Sequence, residues 1–179
     1  ELFYRLAWKP APLHPTAAAQ LAGPSAFVPG LRPRFAELAQ RHGLAVYEQL
    51  LPELDRLSAD FIGAALRTLG FNAGIGRRLR ADDEARRLGV VERHRRLFAR
   101  LLDMLAEDGV LRREGEDFVV AGVLPAGDAA ARCDALIARF APTDGELRML
   151  RRCGPELARV LRGEQAALQL LFPGGSFDE

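Results

Sequence analysis

Between Tyr47 and Leu69 apolar residues recur at steps of mostly three and four: Tyr47, Leu50, Leu51, Leu54, Leu57, Phe61, Ala65 and Leu69. That spacing places them on one side of a helix, so the segment reads as a long amphipathic helix with a broad apolar stripe, and Gly70 is a natural stop. Pro52 either kinks this helix or begins a new one. A stripe of that length has to be covered by other elements of the fold.

The elements available to cover it are mostly helical. A helix is expected from Pro33, with Phe35, Leu38 and Ala39 on one face, ending near Gly43. After the loop-like GFNAGIGRR, Asp82 is placed to cap a short helix through Leu88, with acids in its first turn. Leu97, Phe98, Leu101, Leu102 and Leu105 then share one face of a helix that Gly109 ends. VLRRE and EDFVV follow as two β-prone runs around Gly115, a hairpin signal. Short helix, turn, longer helix and hairpin is the order of a winged-helix module, covering about residues 80–122. Further on, Asp128 to Phe140 is amphipathic, and Thr143 with Glu146 in TDGE reads as a capping box that turns Leu147 and Leu150 inward. Pro155 starts PELARVLR, Gly163 ends it, and EQAALQLLF is closed by Pro173. The predicted fold class is mainly α: a helical domain with a winged-helix-like segment and one short β-hairpin.

The 179 residues suffice for one domain or two small ones, and the 49% apolar content is that of a globular chain. Residues 1–30 read as an interdomain linker or arm, because Pro10, Pro12, Pro15, Pro24 and Pro29 oppose sustained helix. Leu2, Phe3, Leu6 and Trp8 still want burial, so the arm is expected to pack along this domain or a preceding one. No apolar run approaches the roughly 18–20 residues that span a bilayer, and the N-terminus lacks the pattern of a signal peptide. A cytoplasmic location without a membrane partner is therefore expected. Only Lys9 among the 25 basic residues is lysine, a bias that suggests a GC-rich bacterial source.

Chemistry-bearing motifs are few. Cys133 and Cys153 form no CxxC or Cys/His cluster and read as two reduced thiols, with no metal site expected. His14, His42 and His94 sit in no HExxH, and neither a GxSxG elbow nor a P-loop is present. The glycines of GFNAGIGRR invite a phosphate-loop or cofactor-loop reading, but they follow a helix where such a loop should follow an apolar strand. Net charge is only +1, so polyanion binding requires a local patch. Arg93, Arg95, Arg96 and Arg100 on the longer helix are the best case for DNA, yet Glu92 and Asp103 interleave with them.

Four stretches nevertheless belong together: LFYRLAWKP, LSADFIGAALRTLGF, HRRLFARLLDMLAEDGVLRREGEDFVV and RRCGPELARVLRGEQAALQLLFPGG. Together they span nearly the whole chain, and the last is the most specific. They resemble the N-terminal, lid-forming subdomain of the C-methyltransferase domains embedded in bacterial modular polyketide synthases. In that family the subdomain precedes a Rossmann-like core that binds S-adenosylmethionine. The resemblance implies a linker over 1–30, a lid subdomain over 31–172, and a hinge over 173–179 towards a methyltransferase core absent from this sequence.

On that resemblance, the chain alone carries no catalytic, cofactor-binding or metal residues and is inert. Its parent transfers methyl from S-adenosylmethionine to a β-ketoacyl chain on the phosphopantetheine arm of an acyl carrier protein. The partners implied are the missing core, the carrier protein and neighbouring synthase domains, with no nucleic acid. Tyr47, Phe61 and Phe71 are candidates for walls over the acyl chain, although at helical spacing each reads more readily as plain core. Two other classes stay open. A DNA-binding winged-helix regulator requires one uninterrupted positive face on Arg93, Arg95, Arg96 and Arg100, and a non-catalytic docking or structural module of a megasynthase requires no following core.

Overall fold

The computed structural model describes Lys9 and residues 23–172. The burial expected of Leu2, Phe3, Leu6 and Trp8, and the hinge at 173–179 with Pro173, lie outside the described residues. The chain divides into two compact units, Glu1–Leu44 and Ala45–Glu179.

In the first unit a 3-10 turn, Pro24–Ala26, leads into helix α1, Val28–Arg41. The helix starts upstream of Pro33, the expected start. Pro29 fits the first turn, where its missing N–H has no partner to lose, and Pro33 is carried inside the helix. No residue of α1 is buried, and Phe35 is 70% exposed.

The second unit is organised by α2, Tyr47–Leu69, which runs unbroken past Pro52 and stops at Gly70 with φ 82°. Its apolar stripe is divided between two cores. Leu50, Leu57 and Phe61 pack with Ala129, Cys133, Leu136, Phe140 and Leu147. Ile62, Ala65, Leu66 and Leu69 pack with the sheet-bearing half, around Phe98, Leu102, Leu105 and Phe118. Leu51, expected on the stripe, is 53% exposed.

The sheet has three antiparallel strands in the order β1-β3-β2: β1 Arg78–Arg80, β2 Leu111–Glu114 and β3 Asp117–Val120. The expected hairpin is β2 and β3, joined through Gly115 at φ 63°. Strand β1 is an addition to it, pairing Leu79 opposite Phe118 so that both bury while Arg78 and Arg80 face out. Between β1 and β2 lie α3, Ala81–Arg87, and α4, Arg95–Glu107. Asp82 does not cap α3: the extended Arg80 occupies that position, and Asp82, Asp83 and Glu84 fill the first turn. Glu84 is 3% exposed and held by Arg77 and Arg87. On α4, Phe98, Leu101, Leu102 and Leu105 are buried as expected, but Leu97 is 39% exposed.

The remaining helices are α5 Ala129–Phe140, α6 Gly145–Cys153, α7 Leu157–Leu161 and α8 Ala167–Leu171. Asp128 caps α5 by accepting from the Ala131 N–H at 3.0 Å. The capping box expected from Thr143 and Glu146 does not form: Asp144 stands at the cap and pairs with Arg148. Glu146 accepts instead from the Tyr47 hydroxyl, 2.7 Å away. No helix among the described residues is long and apolar enough to cross a membrane.

Candidate functional site

An open groove of about 1100 Å³ lies along α5, α6 and the end of α8. Its apolar lining is Ile137, Met149, Leu171 and Phe172; its polar lining includes Asp134, Glu146, Arg148 and Arg151. Arg148 is bound to Asp144 at 2.7 Å and Arg151 to Asp134 at 2.9 Å, so the rim is internally neutralised. The Arg148 hydrogen bond holds the Asp144 carboxyl below its ordinary range. Arg152 donates to the Leu171 carbonyl at 3.4 Å and ties α8 to α6. What remains is a half-open apolar trough with polar edges, suited to an apolar chain or side-chain cluster and not to a compact anion.

The three aromatic candidates do not converge there. Tyr47 comes nearest: half-buried at the start of α2, it donates to Glu146 of the groove, and that hydrogen bond raises the phenol above its ordinary pKa. Phe61 is 4% exposed in the core shared by α2, α5 and α6. Its ring lies so close to Gly154 that a Cβ there would sit 2.5 Å from a ring carbon. That contact explains the glycine of RCGP. Phe71 is 8% exposed in the other core, with the Arg77 guanidinium 5.6 Å above its ring.

The Gly74 N–H is taken by Asn72 Oδ1 and the Gly76 N–H by the Val120 carbonyl, so these amides serve the loop and the sheet edge. Among the described residues no group of three His, Cys, Asp or Glu could hold a metal ion. Cys133 and Cys153 are free thiols; burial pushes both up in pKa, which suppresses the reactive thiolate.

The α4 arginines alternate with carboxylates. Arg95 binds Glu92 at 2.7 Å and Arg100 binds Glu107 at 2.6 Å. On the sheet Arg112 and Arg78 meet Glu114, and Arg113 meets Asp103. Of the four arginines a DNA face would use, Arg95 and Arg100 are thus paired with carboxylates.

The groove residues were missed in the sequence, but Met149 carried a signal: it is an apolar residue off the inward phase that Leu147 sets on α6. Ile137 gave none, because it lies on the stripe of Cys133, Leu136 and Phe140 on α5 and packs against that core.

No protein-family model matches the chain. A non-reducing polyketide synthase of Macrophomina phaseolina is 29% identical over 146 residues, 79% of this chain and 6% of that protein. Methylphloroacetophenone synthase of Cladonia uncialis is 28% identical over 145 residues, again 79% of this chain and 6% of the relative. Among solved structures, the CurJ carbon methyltransferase superposes with TM-score 0.75 at 30% identity, covering 84% of this chain and 40% of that one. The DszA carbon methyltransferase gives TM-score 0.66 at 29% identity, covering 76% and 35%. The CMeT domain of the citrinin polyketide synthase shares the fold, with TM-score 0.69 at 19% identity. The chain thus spans 40% and 35% of these two carbon methyltransferases and 6% of each of the two relatives it matches in sequence.

Proposed function

We propose that the chain is the lid subdomain of a polyketide synthase C-methyltransferase domain, the part that covers an acyl chain while an adjoining core carries out methyl transfer. The observation that carries this reading is the extent of the CurJ likeness, 84% of this chain against 40% of that one. The correspondence is to a part of a carbon methyltransferase.

In this reading S-adenosylmethionine supplies the methyl group and belongs to the core, and a phosphopantetheine arm of an acyl carrier protein presents the β-ketoacyl chain. The residues described here exclude water and shape access: Ile137, Met149, Leu171 and Phe172 form the apolar wall, and Tyr47 stands behind it through Glu146. Phe61 acts as core beneath that wall, and Phe71 as core in the sheet-bearing half. The segment over about residues 80–122, in the order α3-α4-β2-β3, is read as winged-helix-like, and it serves packing.

The test is methyl transfer from labelled S-adenosylmethionine to a carrier-bound β-ketoacyl chain, using this chain joined to its own methyltransferase core. Met149→Glu and Phe172→Glu are each expected to slow transfer about tenfold or more, with cofactor binding unchanged. Transfer by this chain with no core, or rates indifferent to both substitutions, would overturn the reading.

A further inference from the structure

Charge is unevenly compensated in the second unit. Most of its described arginines have carboxylate partners, and Arg67 and Arg139 are held otherwise, by the Pro125 carbonyl and by Gln49 with the Phe140 ring. Arg93, Arg96 and Arg162 differ: among the described residues no carboxylate lies within ion-pair distance of any of them.

These three are neighbours. Arg93, in the 3-10 turn Glu92–His94, and Arg96, in the first turn of α4, are three residues apart. The Val91 N–H donates to the Leu161 carbonyl at 3.0 Å, which fixes the entry of α4 against the exit of α7. Arg93 Nη2 lies 3.4 Å from where a Cβ on Gly163 would sit, beside Arg162. Arg93 also donates through Nε to His94 Nε2 at 3.3 Å, so its guanidinium is oriented by an imidazole and not by a carboxylate. Leu97, 39% exposed, follows on the same face, and Arg100 lies a further turn on.

We propose that this face, Arg93, Arg96, Leu97 and Arg162, is a docking surface for an acidic helix of a partner protein. Two features select a protein helix over nucleic acid. First, the cations recur at helical spacing around one exposed apolar side chain, which fits carboxylates three and four residues apart around an apolar contact. Second, Glu92 and Glu107, 81% and 62% exposed, bracket α4 at its two ends. At 1.5 Å rise per residue they stand roughly 20 Å apart, so a phosphate backbone following α4 would meet a carboxylate at either end, whereas a short acidic helix fits between them. The inference rests on charge geometry and stands independently of the lid assignment.

The measurement is fluorescence anisotropy of a labelled acidic peptide of about 12 residues, with Glu repeated at i and i+4 around a central Leu, titrated with the full chain at about 50 mM and about 300 mM salt. Binding is expected at low salt and is weakened about five- to tenfold by Arg96→Glu. Leu97→Ser should weaken it without changing net charge, and Arg139→Glu, the same charge change elsewhere, should leave it within about twofold. Circular dichroism confirms that each variant is folded. Equal losses from Arg96→Glu and Arg139→Glu, no binding by the unmodified chain, or tighter and Arg96-dependent binding of a duplex DNA would each overturn the proposal.

Discussion

Gly154 is the position where one added methyl group has nowhere to go. Its absent Cβ would lie 2.5 Å from the Phe61 ring, in a core closed from the other side by Leu57 and Leu147. Gly154→Ala is expected to cost about 1–3 kcal/mol in urea unfolding, through overpacking. A loss below about 0.5 kcal/mol would show that the Phe61 ring can retreat. Glu84 presents the opposite problem, a charge in a dry place. Burial alone raises its pKa, but hydrogen bonds from Arg87 and Arg77 outweigh that and hold the carboxyl below its ordinary range. Glu84→Gln keeps the shape and removes the charge, so about 1–3 kcal/mol should be lost near neutral pH. Arg77 would also lose its support above the Phe71 ring, which makes near-ultraviolet ellipticity a second readout.

At the scale of elements, α2 is one helix with two employments. Leu57 faces α5 and α6, and Leu66 faces the sheet-bearing half; both are fully buried. Leu57→Ala and Leu66→Ala should each destabilise by about 2–5 kcal/mol. Hydrogen exchange should separate them, with faster exchange in β2 and β3 for Leu66→Ala and in α5 for Leu57→Ala. Identical exchange patterns would mean that the two cores open as one unit. The stripe itself was legible in the sequence because a 3.6-residue period survives over 23 residues. Its division between two cores was not, since nothing local to α2 distinguishes Phe61 from Ile62 by partner. For the same reason Phe61 and Phe71 read as companions in a wall and are found in different cores. Strand β1 was missed because its one buried residue, Leu79, carries no period, and its pairing with β3 joins residues far apart in sequence. The misread capping box has a similar origin: Glu146 is claimed by Tyr47, 99 residues away. The hairpin was legible because its turn glycine and both strands are local.

For the whole molecule, arginine–carboxylate pairing sets how stability depends on pH. Glu84, Glu107, Glu114 and Asp144 are all held below their ordinary ranges in the folded chain. For Glu107, Glu114 and Asp144 the leading cause is a hydrogen bond from Arg100, Arg112 and Arg148 respectively; for Glu84 the arginine bonds overcome opposing burial. A carboxyl with a depressed folded pKa binds fewer protons folded than unfolded, so its contribution is complete above the unfolded value, about 4. That contribution is lost as pH falls through the folded value. Arg87, Arg100 and Arg148 are shifted upward, away from this window. Stability should therefore rise from about pH 2.5 to pH 5 and then level off towards pH 8. Thermal unfolding followed by circular dichroism across that range is the measurement, with Glu84→Gln as its internal control. The variant removes the most buried of the four carboxylates, so its curve should be lower on the plateau and shallower on the acid limb, converging on the unmodified chain near the acid end. Parallel curves would instead place the loss at Glu84 in packing rather than charge, and a flat profile for the unmodified chain would show that the surface pairs are too well solvated to register.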